Sequence, residues 1–237
     1  VTADSGAVIF EKDKTNNHRN ISRTVVYNGY KGKRYTDGDD LTTQADFNGH
    51  YGLLYSAGNS AYAGATWTTS IFNWTAADLP VPATATVISA RLYQPYNYNK
   101  MATDPAFVMA FNGNVVTPVS TYKDRKNYGT YDYPYGLYVY DVTPAFSTAG
   151  NSLTITNETG RNYALYGSYL VVVYRDASAS IRSIRINDGF DMLASKDTYA
   201  TTSEESTAYA TFSGVSTASL TNATAIAILA SAGDAGK

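Results

Sequence analysis

LYVYDVTPAFSTAGNSLTITNETGRNYALYGSYLVVVYRD, residues 137–176, decides the fold. Tyr138, Val139, Tyr140 and Val142 read as a strand that Pro144 closes, because proline cannot donate to a ladder. Ser147 to Asn151 supply turn chemistry: Gly150 tolerates positive φ and Asn151 can bond its own backbone. Leu153-Thr154-Ile155-Thr156 alternates apolar and polar, the signature of a half-buried strand. Tyr169 to Tyr174 is apolar on both faces, which predicts a central strand covered on both sides. Its β-branched and aromatic content favours strand over helix.

Working outward, the same reading extends to both ends. Strands are expected at Ala7–Phe10, Arg23–Tyr30, Gly64–Trp74, Val87–Tyr96, Ile181–Ile186, Ala208–Phe212 and Ala225–Ala230. In the Gly64–Trp74 segment, Trp67 and Ile71 fall in phase on one face, with Phe72 and Trp74 on the other. Phe107–Phe111, Asn112-Gly113 and Val115-Val116 form a hairpin signal, since Asn-Gly suits a type I′ turn. Asp78–Pro82 reads as a connector, residues 31–50 as a polar loop, residues 121–136 as a tyrosine-rich loop, and Asn187-Asp188-Gly189 as a turn. No long helical period appears. Many short strands with irregular turns predict an all-β antiparallel sandwich of jelly-roll type, with strand exchange between subunits as a variant. Residues 1–22 form an N-terminal extension and candidate donor strand. Residues 23–237 form the sandwich domain, with an incomplete C-terminal sub-domain from about residue 206.

Composition narrows the function. A net charge of -2 without a basic run argues against nucleic acid as a partner. No apolar run approaches the roughly 20 residues of a membrane helix. The absence of cysteine excludes disulfides and thiolate chemistry. The start at Val1 without a leader is that expected of a processed mature protein. Asn-x-Ser/Thr sequons at Asn20, Asn73, Asn157 and Asn222, in a chain rich in Tyr, Thr, Ser and Asn, favour an extracellular, cell-surface location.

Three ordered segments carry a family resemblance: Pro82–Tyr93 (PVPATATVISARLY), Tyr140–Thr156 (YDVTPAF…GNSLTIT) and Tyr166–Leu193 (YGSYLVVVYRDAS…IRINDGFDML). Together they resemble archaeal, methanogen-type cell-surface domains of unassigned function, often adjacent to PKD-type domains. The resemblance spans roughly Tyr27 to Gly233. The family's tryptophan in the last motif is Arg185 here, and its Glu-Gly-His is Asp188-Gly189-Phe190. Members usually continue into a second sandwich beyond the position of Ala232–Lys237, so the final strands here would lack partners within the chain. The resemblance implies an archaeal envelope or extracellular structural protein, and no activity comes with it. The DVT…GNSLT pattern is also similar to jelly-roll carbohydrate-binding modules.

Candidate chemistry is sparse. Asp37, Asp39 and Asp40 in one loop, and Asp188 and Asp191 in another, offer oxygen ligands for Ca²⁺, and suit a solvated turn equally. No other cofactor is implied. His18 and His50 sit in no catalytic spacing, and few glutamates are present, so no enzyme activity is expected. Tyr128, Tyr131, Tyr133 and Tyr135, flanked by Tyr122, Tyr138 and Tyr140, suit a protein interface, a glycan-stacking platform or a loop folded over the sandwich edge. The leading expectation is a non-enzymatic subunit of an extracellular archaeal filament, tube or sheath. It would form a homopolymer by strand donation, with Val8, Ile9 and Phe10 setting the register. The alternative is a carbohydrate-binding or adhesive surface module that uses the tyrosine loop on cell-surface glycans.

Overall fold

The computed structural model describes residues 38, 40–125, 132–193, 207–214 and 221–230. Eleven strands are present among them: β1 (Thr42–Ser56), β2 (Thr69–Thr75), β3 (Thr86–Asn97), β4 (Val108–Phe111), β5 (Asn114–Val116), β6 (Ser120–Asp124), β7 (Tyr135–Asp141), β8 (Gly150–Thr156), β9 (Ala164–Leu165), β10 (Tyr169–Arg175) and β11 (Ile181–Asp188). They form two antiparallel sheets. The larger has seven strands in the order β11-β1-β10-β3-β7-β6, with β9 also on β3; the smaller runs β2-β8-β4-β5. The chain is all-β and a sandwich, and it crosses between the layers repeatedly.

The alternation in each strand explains the layering. Phe72, Trp74, Met109, Phe111, Leu153 and Ile155 of the small sheet pack against Ala90, Leu92, Tyr138, Tyr140, Leu170 and Val172 of the large one. The intervening residues of the large sheet are apolar too. Tyr93, Leu137, Val139, Val171 and Val173 face the other way and meet Ile184 and Ile186 of β11. A sheet can pack its own last strand over its middle only by curling, and the large sheet is such a half-barrel with a second core inside. β10 is central and buried on both faces, as its continuous apolar run predicts.

Pro95 lies inside β3, a position normally closed to proline. Its carbonyl accepts from Tyr166 N at 3.1 Å, so its nitrogen faces the same interruption between β9 and β10. No ladder bond to β7 is lost. Buried Gln94 fills the break by donating to the carbonyls of Pro95 and Tyr166 and accepting from Ser168 Oγ. The β4–β5 hairpin turns on Asn112 (φ 49°) and Gly113 (φ 80°), the paired positive φ values of a type I′ turn.

Several expectations need correction. Residues 42–50 are not loop: they begin the 15-residue strand β1. Residues 120–124 form β6, and Tyr135 opens β7, so the tyrosine-rich loop is shorter than 121–136. β11 continues through Asp188, held by pairing of Thr42 with Asp188 and by Thr43 Oγ1 donating to Asn187 Oδ1 at 2.8 Å. Trp67 precedes β2, and a turn closed by Trp67 N and Gly64 O resets the phase. Trp67 is therefore buried with Phe72 and Trp74, whereas Ile71 points outward. Ala208–Phe212 contributes a single bridge, Ala210 to Leu41, and Ala225–Ala230 forms no strand. Ala7–Phe10 and Arg23–Tyr30 lie outside the described residues.

Candidate functional site

Three places combine exposure with built geometry. The first is the end of the sandwich where β3 finishes and β7 begins. Asn99 is buried, donates from Nδ2 to Thr103 O and accepts Met101 N on Oδ1, and so shapes the turn after β3. Asn99 N also donates to Pro134 O at 3.0 Å, which ties that turn to the start of β7. Tyr98, held at φ 50°, lies 5.0 Å from the ring of Tyr135 and 6.5 Å from that of Tyr133. Lys100 Nζ stands 5.2 Å over the Tyr133 ring. Beside these groups opens a cleft of about 530 Å³, lined by Thr103, Asp104, Lys123, Asp132 and Tyr133 among others. Four of its charged groups form two pairs: Lys123 with Asp104 at 3.0 Å, and Arg125 with Asp132 through two bonds of 2.9 Å. The Asp132 carboxylate holds the Arg125 guanidinium more firmly protonated still. Round the corner, Tyr62, Ala65, Tyr98 and Ala164 line a shallow apolar notch of about 170 Å³. Rings beside fixed donors and acceptors can stack on and hydrogen-bond a polyhydroxylated ligand.

Of the predicted tyrosines, Tyr133 and Tyr135 are at this end, and Tyr128 and Tyr131 lie outside the described residues. Tyr138 and Tyr140 are core residues, not platform: Tyr138 Oη donates to Pro105 O at 2.7 Å, and burial pushes both phenols up. Tyr62, Tyr98 and Tyr166 were missed because they sit on other loops. Only the pairing of β3 with β7 and β9 brings those loops here.

The second place is the acidic loops. Asp37 and Asp39 lie outside the described residues, while Asp40 Oδ1 accepts Tyr209 N at 3.2 Å. A Cβ on Gly38 would sit 2.6 Å from Asp124 Oδ2 and 2.8 Å from Asp191 Oδ1. The two loops therefore meet, around a carboxylate, Asp124, that the sequence reading passed over. Asp124 is fully buried and accepts Arg125 N and Met192 N. Asp188 does not join them. It turns into the half-barrel, where it accepts Arg91 Nη2 at 2.8 Å, Tyr93 Oη at 3.2 Å and Tyr122 Oη at 2.6 Å. One carboxylate thus ties β11 to β3 and β6. Tyr93 stacks on Tyr169, with ring centroids 4.8 Å apart and planes 8° apart. Burial first, then the bond to Asp188, pushes the Tyr122 phenol up to about 12. Among the described residues no group of three or more acidic or histidine side chains is placed to hold one metal ion.

The third place is the outer face of the small sheet. Ile71 of β2 lies opposite Thr154, Thr154 opposite Ala110, and Ala110 opposite Val115. Ile71, Val108 and Val115 are 58%, 50% and 71% exposed. None of the strand residues of β2, β4, β5 and β8 carries a charge. β2 is the sheet's last strand. Asn59 takes the outward backbone groups of Asn73, and the Asp78 carboxylate takes Thr75 N. Of the sequons, Asn73 is exposed on this face and Asn222 is exposed in residues 221–230. Asn157 is half-buried and donates its amide nitrogen, the atom a glycan would occupy, to Trp67 O at 3.2 Å. Asn20, Val8, Ile9 and Phe10 lie outside the described residues.

Among the described residues no helix is long and apolar enough to cross a membrane. No curated protein and no solved structure matches the chain. A family model described as a protein of unknown function, DUF3344, matches residues 29–237. That match covers all three segments on which the sequence resemblance rests, together with both sheets, and the chain belongs to the DUF3344 family.

Proposed function

We propose that this chain is a non-enzymatic structural subunit of an extracellular archaeal filament, tube or sheath, assembled by adding strands between copies. The observation that carries the reading is the outer face of the small sheet. It carries Ile71, Val108, Ala110 and Val115 among threonine, serine and asparagine, is without a single charge, and ends at an edge strand. Edges of sheets in proteins that stay monomeric are blunted by lysine, proline or inward charges. Asn59 and Asp78 cap the edge of β2 at Asn73 and Thr75, while its Thr69–Phe72 half, without lysine or proline and beside the exposed Ile71, suits pairing with another chain. The archaeal surface setting follows the sequence resemblance and the exposed sequons at Asn73 and Asn222.

Electron microscopy and sedimentation of the purified chain, with and without a calcium chelator, test the proposal. Regular polymers are the expected result. Dispersed monomers under every condition would reject it.

A second reading, a glycan-binding or adhesive surface module, draws on the tyrosine-flanked cleft of about 530 Å³. It predicts saturable binding of glycans by a monomer, weakened when Tyr133 is replaced by alanine.

A further inference from the structure

We infer that residues 225–230 are a donor strand that adds to the small sheet of a second copy of this chain. The inference rests on the strand-addition reading above and names its two parts. Residues 221–230 (TNATAIAILA) form no strand, and positions 221–229 are exposed. Ile226, Ile228 and Leu229 are 41%, 39% and 78% exposed. Connecting segments are normally polar and surface-bound for a reason: apolar side chains gain nothing there. Six consecutive apolar residues without charge, proline or glycine are instead the composition of a segment that pairs between chains. Alternation places Ile226 and Ile228 on one face of an extended strand, with Leu229 on the other.

The small sheet matches that segment in chemistry. Its four strands carry no charge, and neither does the segment, so nothing in either strand repels or leaves an ion desolvated. Six extended residues span about 20 Å; on β2, where Asn59 and Asp78 already bond Asn73 and Thr75, they would pair along Thr69–Phe72 and run on past that end of the strand. The exposed Ile71, Val108 and Val115 give that uncharged face apolar contacts for the donor's side chains. The large sheet is a poorer acceptor, since its edge strand β11 carries Arg182 and Arg185 and residues 211–214 are bonded to it through Asn187 and Arg185. Donor and acceptor are different surfaces of one chain. Such a contact is heterologous, and it propagates head to tail instead of closing as a dimer.

The test compares the unmodified chain with the double variant Ile226→Asp/Ile228→Asp and with Ile9→Asp. Circular dichroism and melting serve as the folding control, since Ile226 and Ile228 are exposed. The expected result is polymer from the unmodified chain and from Ile9→Asp. The double variant should form none at any concentration at which the unmodified chain assembles. A fluorescent peptide of residues 221–230 should bind the monomeric double variant and lose that binding when Ile71→Lys and Val115→Lys are added. Assembly by the double variant at the unmodified concentration would overturn the inference and leave strand addition standing. So would peptide binding indifferent to the two lysines. If the unmodified chain stays monomeric, the filament reading fails on its own. Peptide binding then decides the donor: lysine-sensitive binding supports it, and no binding overturns it.

Discussion

The two sheets of this molecule are built from different chemistry. The large sheet carries tyrosine on β1, β3, β6, β7 and β10, buries both its faces, and closes on itself through an arginine, a carboxylate and two phenols. The four strands of the small sheet contain neither tyrosine nor charge, and they bury one face only. The large sheet uses an ion pair and two phenols for its own closure, and the strands of the small sheet have no charge with which to discourage a neighbour. Specific closure and open association thus sit back to back in one sandwich, and each can be broken without the other.

The largest effect is expected from alkaline pH, which acts on the large sheet. Burial raises the phenols of Tyr93, Tyr96, Tyr138, Tyr140, Tyr163 and Tyr169, and it pushes Tyr122 up to about 12 from an ordinary 10.0. A phenol that holds its proton more tightly when folded contributes stability that is complete below the ordinary value. That stability is lost as pH rises from there through the folded value. Tyrosinate absorbance should therefore appear together with loss of circular dichroism, in one cooperative step above pH 10. Gradual titration with the spectrum of the fold unchanged would show that these phenols are not held by the core.

Phe111→Ala comes next and probes the small sheet. Phe111 is fully buried between the layers, and its loss should cost about 4 kcal/mol in chemical denaturation. Because only apolar contact is removed, the cost should not change with salt. Asp188→Ala probes the closure of the large sheet. It leaves the partly buried Arg91 without its carboxylate partner, and about 3 kcal/mol is expected. Tyr122→Phe removes one of the three bonds to Asp188 and should cost about 1 kcal/mol. The two changes share one network, so Tyr122→Phe in the Asp188→Ala background should cost clearly less than it does alone. Strict additivity would mean that Tyr122 is held by something other than Asp188.

The strands of residues 137–176 were legible because their alternation is carried by large apolar side chains. β1 was not, although its first half alternates just as cleanly: Ala45, Phe47, Gly49 and Tyr51 lie on the inner side, and Gln44, Asp46, Asn48 and His50 on the outer. Small residues on the inner side, and glycines at 49 and 52, imitate a loop. Gly52 is required where it stands, because any side chain there would strike the ring of Tyr174 on the next strand. Asp188 read as a ligand because the residues beside it form a turn-like motif; its true partners are set by the curl of the sheet. Sequence spacing carries no information about that curl. The convergence of Tyr98 with Tyr133, and of Gly38 with Asp124 and Asp191, escaped notice for the same reason. Strand order, not local pattern, makes those neighbours.

The smallest effect on folding is also the one that separates the sheets most sharply. Ile71→Lys and Val115→Lys replace exposed side chains on strands whose inward neighbours, Phe72, Trp74 and Phe111, stay in place. A surface change of this kind moves stability by no more than about 0.5 kcal/mol. If the aliphatic row served the fold, each lysine would cost more than that, and the melting temperature would fall. If the row serves association, the melting temperature of the monomer should hold while assembly is lost, because a lysine on an edge strand must be desolvated wherever another chain pairs with it. A β2 that tolerates lysine in the monomer but not in the polymer would be a strand kept free of charge for its neighbour's sake.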